Sequence, residues 1–237
     1  MAKLQLLVKG FVLDKLVAQM SAVTYFSIDG QVRTMRERSI LRSKWYEDAA
    51  KLSNKCPDPY PYTHQGRQEV FWRSIIADRT DTKRPAPQYL EEIHNLYREI
   101  CKARLEAPIM NTNSWHEHVF ATPEVQDMWP KTLKERGHLH EYMAAIIPVG
   151  DGRRFGITED GYMCLTPPES KIGDVVAIFY GSPTPFLLRK DEECSMKVET
   201  RDCVYKLVGE CYVHGFMDSF DSLNGFIARP AVTFQIS

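Results

Sequence analysis

At 237 residues the chain is long enough for one large domain or two small ones, with a sizeable core in either case. Hydrophobic residues make up 43% and charged residues 26%, which is globular composition and excludes a disordered chain. Thirty basic residues against thirty-one acidic ones leave a formal charge of -1, so no global field draws the protein to nucleic acid or an anionic membrane.

The alternation of residues 4–8 predicts a short strand. Leu13, Leu16, Val17 and Met20 then follow the spacing of one helix face, and Leu41, Trp45, Ala49 and Leu52 mark a second helix. The three prolines of Cys56–Tyr62 must end it, because each fixes φ and removes a backbone donor. A third helix is predicted over Glu69–Asp78, with Trp72, Ile75 and Ile76 as core and Asp78 and Arg79 capping it or bridging to the strands. The strongest helical pattern joins Leu90, Ile93, Tyr97, Ile100, Cys101 and Arg104, with Pro87 near its start. Thr122-Pro123-Glu124 reads as a helix start that Trp129-Pro130 closes, and a further helix is expected over Lys131–Ala145. Residues 106–121 read as a loop.

Beyond Gly150 the pattern becomes that of strands. Arg154–Thr158 and Tyr162–Thr166 flank the turn Glu159-Asp160-Gly161. Gly173–Tyr180 is apolar on both faces, as a strand covered on both sides should be. Thr184–Lys190, the stretch around Gly209 and the terminal Val232, Phe234 and Ile236 supply further strands. The expected fold class is α+β: a mainly helical part, residues 1–149, packed on a small antiparallel β-barrel, residues 150–237, in one compact unit.

No apolar run approaches the roughly 20 residues of a membrane span, and Lys9 and Asp14 interrupt the N-terminal apolar patch, unlike a signal peptide. The six cysteines show no CxxC pair and no tight framework, so the reading is a reduced, cytoplasmic protein.

The candidate site lies in Tyr205–Asp218. Strand alternation puts Glu210, Tyr212 and His214 on one face as a small polar-aromatic binding surface, and Leu207, Gly209, Cys211 and Val213 on the other. Glu210 and His214 have acid-base chemistry, but the sequence positions no nucleophile beside them. His116 with His118, and His138 with His140, form two His-Xaa-His pairs that suit a metal only on a strand, and no cysteine or carboxylate completes a ligand set. The glycines of Gly150–Gly156 precede a hairpin and not a helix, so they do not cradle a phosphate. Arg33, Arg36, Arg38 and Arg42 read as a solvated helix face among interspersed acids. No catalytic residue, metal site or cofactor is assigned.

Four segments, Val8–Asp14, Phe71–Arg79, Arg153–Pro168 with Gly173-Asp-Val-Val176, and Tyr205–Asp218, resemble the C-terminal region of fungal heterokaryon incompatibility (HET) domain proteins. The family's name-giving N-terminal domain, with its Tyr-Xaa-Ala-Leu-Ser-Tyr-Xaa-Trp-Gly-like stretch, has no counterpart here, so none of that domain's residues carries over. The resemblance implies a non-enzymatic interaction or regulatory module in allorecognition, whose partner is a protein or a HET-type trigger domain. The alternative is a metal-dependent or acid-base hydrolase using the His and Glu residues above.

Overall fold

The computed structural model describes residues 6–22, 34–106, 123–191, 203–217 and 230–237. It is built from eight strands and five helices among those residues. The strands are β1 (Leu6–Gln19), β2 (Arg154–Thr158), β3 (Met163–Thr166), β4 (Val175–Phe179), β5 (Phe186–Lys190), β6 (Val204–Glu210), β7 (Tyr212–Val213) and β8 (Val232–Ile236). The helices are α1 (Met35–Ser53), α2 (Arg67–Ser74), α3 (Leu90–Glu106), α4 (Pro123–Met128) and α5 (Leu133–Gly150).

β1 corrects the expected N-terminal helix. Leu13 and Leu16 belong to one 14-residue strand, and two bulges produce the spacing that imitates a helix. Leu13 is the extra residue between Val12 and Asp14 opposite β4, and Val17 the extra one between Leu16 and Ala18 opposite β2. A bulge adds one residue to the period of two, so Leu13 and Leu16 are both buried while Val17 stays exposed. At Gly10 a Cβ would run into the carbonyl oxygen of Ile178, so only glycine allows β1 to lie this close to β4.

β1 also links the N-terminal residues to the strands beyond residue 150. It pairs antiparallel with β2, β4 and β8, so the sheet draws strands from both sides of that residue. The order is β4-β5-β6-β8-β1-β2-β3-β7, and the added β4–β1 pairing closes β1, β4, β5, β6 and β8 into a ring. The pairing is not wholly antiparallel, since β6 and β8 run parallel. Phe179, Leu188, Tyr205, Phe234 and Ile236 form one buried cluster from the ring strands. β2, β3 and β7 extend from β1 as a flank.

The helices bury their apolar faces with this flank in the larger core. Trp45 and Ala49 of α1, Phe71 and Trp72 of α2, Ile93 and Tyr97 of α3 and Tyr142 and Ile146 of α5 join Leu16, Phe155, Leu165 and Val213 there. Trp72, Ile75 and Ile76 are core, although α2 ends at Ser74 and not at the expected Asp78. α1 and α5 each start with a capping box written in the sequence as Thr-Xaa-Xaa-Glu. Thr34 accepts from the Glu37 amide, Thr132 accepts from the Glu135 amide, and each glutamate bonds back to its threonine's amide. Buried polar groups tie the helices together: His94 of α3 bonds the hydroxyls of Tyr46 on α1 (3.2 Å) and Tyr142 on α5 (2.9 Å).

Arg42 corrects the expected solvated basic face. It is buried and makes two 2.7 Å hydrogen bonds to the carboxylate of Asp151, pinning α1 to the end of α5. Arg33 and residues 106–121, apart from Glu106, lie outside the described residues.

Candidate functional site

The site begins where β6 leaves the ring. Opposite β5, Leu187 faces Gly209 and Leu188 faces Leu207, so Val208 is an extra residue in β6. This bulge shifts Tyr205 and Leu207 relative to the residues beyond it and leaves the alternation of Glu210, Tyr212 and His214 untouched. Cys211 then bonds through its amide to the Pro185 carbonyl (3.0 Å), and the next two residues pair with β3, Tyr212 opposite Leu165 and Val213 opposite Cys164. The segment therefore crosses from ring to flank. Glu210 is exposed, whereas Tyr212 and His214 are buried.

A hydrogen-bonded chain fixes the two buried groups. The Tyr212 hydroxyl lies 2.8 Å from His214 Nδ1, and His214 Nε2 lies 2.8 Å from Gln65 Oε1. Gln65 donates through Nε2 to Glu69 (3.0 Å), so its oxygen faces the ring. The amide oxygen only accepts, which places the imidazole proton on Nε2 and makes Nδ1 the acceptor of the Tyr212 hydroxyl. Burial lowers the His214 pKa to about 4, so the ring is neutral near pH 7. Burial also pushes the Tyr212 phenol well above its ordinary value and the Cys211 thiol to about 12. None of the three is an activated nucleophile, and His214 has both ring nitrogens engaged.

The chain continues to a second clamp. Glu69 accepts from Arg73 Nε (2.9 Å), and Arg73 Nη1 donates to Asp78 (2.9 Å) and to the Ala86 carbonyl (2.7 Å). Ala77 and Asp78 stand in the left-handed region, with φ of 53° and 48°, where α2 ends. The Ala86 amide bonds back to the Asp78 carbonyl (3.0 Å), so residues 79–85 form a loop closed at its base by Arg73. Arg79 and Arg84 stand on the two legs of that loop, both exposed.

These parts surround a pocket of about 180 Å³. Arg79, Arg84, Arg153, Glu210, Thr184 and Tyr212 supply its polar lining, and Ala77, Pro148, Val149, Leu165, Cys211 and Met217 its apolar lining. Arg153 is placed by its own carbonyl, which accepts from the Trp45 indole (3.2 Å), and by its Nη1, which donates to the Glu210 carbonyl (2.9 Å). Of the three residues picked from the sequence, Glu210 and Tyr212 line the pocket, while His214 stands behind Tyr212. The arginines were missed as a group because they come from two separated loops, 79–85 and the link from α5 to β2. Only the interruption of the pattern after Ile76 hints at the Arg79 loop.

His138 and His140 lie in helix α5, where His138 stacks on Tyr89 at 4.2 Å, and His116 and His118 lie outside the described residues. Among the described residues no group of three or more His, Cys, Asp or Glu is arranged to hold a metal. No helix among them is long and apolar enough to cross a membrane. The expectation of uniformly reduced cysteines needs correction: Cys56, Cys101, Cys164 and Cys211 are free, but Cys203 is disulfide-bonded.

The fold is thus a closed ring of strands joined to a helix-covered flank, with the pocket at the junction. The chain matches the Het-6 beta-barrel domain over residues 5–223 and belongs to that family. It is 26% identical over 187 residues to heterokaryon incompatibility protein 6, OR allele, of Neurospora crassa. That match covers 77% of this chain but 24% of the relative, so the chain corresponds to about a quarter of that protein. No solved structure matches.

Proposed function

We propose that the chain is a non-enzymatic interaction or regulatory module that acts in heterokaryon incompatibility. Its partner is a protein, with a HET-type trigger domain the preferred candidate. Glu210 and Tyr212 form the recognition site with the surrounding arginines, and His214 acts as a positioning residue behind Tyr212. In this reading the closed ring is the small barrel, and the helices hold its flank and pocket in one unit.

The observation that carries the reading is the pocket at the crossing of β6 into β7. It gathers charged groups suited to recognition around a phenol and a thiol whose pKa values are both raised. The family membership and the Neurospora relative support the biological setting. A groove lined by arginine and tyrosine fits a protein contact, since both residue types are enriched at binding hot spots.

The test is co-expression of the chain with an intact heterokaryon incompatibility relative in a fungal host. The expected result is a change in growth or incompatibility that Glu210→Lys abolishes and Lys44→Glu, an exposed change on α1, leaves intact. An unchanged growth phenotype with the wild-type chain, at confirmed expression of both proteins, overturns the reading.

A further inference from the structure

The two sides of the pocket come from distant parts of the chain, Tyr212 from β7 and residues 79–85 from the loop that Arg73 closes. One unbroken run of side-chain hydrogen bonds joins them. It passes from the Tyr212 hydroxyl through His214, Gln65 and Glu69 to Arg73, and Arg73 holds the base of the loop at Asp78 and at Ala86. Tyr212 and His214 at one end and Arg73 at the other are buried, where such bonds are strong and an unpaired group is costly.

The donors converge on Glu69, which sets the direction of the whole run. A carboxylate only accepts, so Gln65 turns its amide nitrogen to Glu69 and its oxygen to His214. That oxygen requires the imidazole proton on Nε2, which leaves Nδ1 to accept from Tyr212. Flipping the Gln65 amide would set its nitrogen against the Nε2 proton and its oxygen against the Glu69 carboxylate. Moving the imidazole proton to Nδ1 would turn the Tyr212 proton away and leave the Gln65 oxygen facing a bare nitrogen. No member changes orientation alone. Arg73 locks the same point, since its Nε donates to the Glu69 oxygen, Oε1, that accepts from Gln65.

We infer that this run is a polarised strut that couples the floor of the pocket to its rim. The seat of Tyr212 and the fold of residues 79–86 order as one unit, with Gln65 as the positioning residue at its centre. By linkage, an occupant that fixes one side of the pocket fixes the other by the same factor. The coupling goes beyond the docking proposal, because it belongs to the free chain whichever partner enters the pocket.

The purified chain is tested from both ends. Glu69 bonds neither ring nitrogen of His214, yet Glu69→Gln lets the Gln65 amide face it either way round. The imidazole nitrogen-15 spectrum of that variant at pH 7.5 should show His214 with the proton on Nδ1 beside the form with it on Nε2. From the other end, Tyr212→Phe removes one hydroxyl from the run. Amide exchange of Thr80 and Ala86, which bond the Lys83 and Asp78 carbonyls, should quicken by about fivefold or more. Gln65→Met cuts the run at its centre and should quicken the same amides. Ser170→Ala removes a buried hydroxyl bonded to Thr166 and Gln19, off the run, and should leave them unchanged. Only the Nε2 form in Glu69→Gln, or exchange in Tyr212→Phe or Gln65→Met no faster than in Ser170→Ala, overturns the inference.

Discussion

His214 shows how one buried side chain ties folding to pH. Burial lowers its pKa to about 4, and burial lowers that of His94 to about 3, against an ordinary value near 6.5. Below pH 6.5 the unfolded chain takes up protons that the folded one refuses, so stability conferred by the neutral rings is present above that pH and is lost as pH falls towards the folded values. Between pH 6.5 and 5 each ring accounts for a loss of about 2 kcal/mol. Urea denaturation at pH 7.5, 6 and 5 should show this slope, and His214→Gln should flatten it while lowering stability at pH 7.5. A slope unchanged by that substitution would mean that burial does not hold the His214 ring neutral. Gly215, the next residue, has a φ of 86°, and a Cβ there would meet Thr63 Cγ2 at 2.9 Å. Gly215→Ala should therefore destabilise by about 1–3 kcal/mol in the same measurement.

At the scale of elements, β1 decides how the ring and the flank are joined. Leu16 is wholly buried and Val17 is 42% exposed, although a helical face would bury both. Leu16→Ala should cost about 2–5 kcal/mol in thermal or urea denaturation, and Val17→Ala should cost little. Comparable losses would restore the helix that the spacing suggests. Helices α2, α3 and α5 and strands β2 to β5 were readable because a single period runs through each, bounded by prolines, glycines or Thr-Xaa-Xaa-Glu starts. β1 was misread because an extra residue at Leu13 and another at Val17 shift the period without leaving any mark in composition, whereas the change of partner strand between β6 and β7 is a tertiary event that no local pattern records. Glu210 stays exposed while Tyr212 and His214 are buried because the chain leaves β5 for β3 after Glu210, where Gln65 covers His214. Arg79, Arg84 and Arg153 were invisible as a group, since only the folding of two loops around the β6–β7 crossing brings them together.

For the whole molecule, the ring and the flank share β1, and the helices cover the flank, so the pocket depends on both parts being in place. Arg73 is the element of this arrangement most sensitive to change. It is buried with four hydrogen bonds, to Glu69, Asp78, Ala86 and Gln88. Removing it leaves the buried Ala86 carbonyl unpaired and takes a donor from the partly buried Glu69 and Asp78, and Arg73→Met should destabilise by about 1–3 kcal/mol and loosen the loop carrying Arg79 and Arg84. Hydrogen exchange of residues 79–86 checks the second effect. The central claim, that the junction pocket is a docking site, is tested most directly by titrating the purified chain with a purified HET-type trigger domain. The account predicts saturable binding that weakens by about tenfold or more in Glu210→Lys and is unchanged in Lys44→Glu. Binding of equal strength in all three proteins, or none with the wild-type chain, would contradict it.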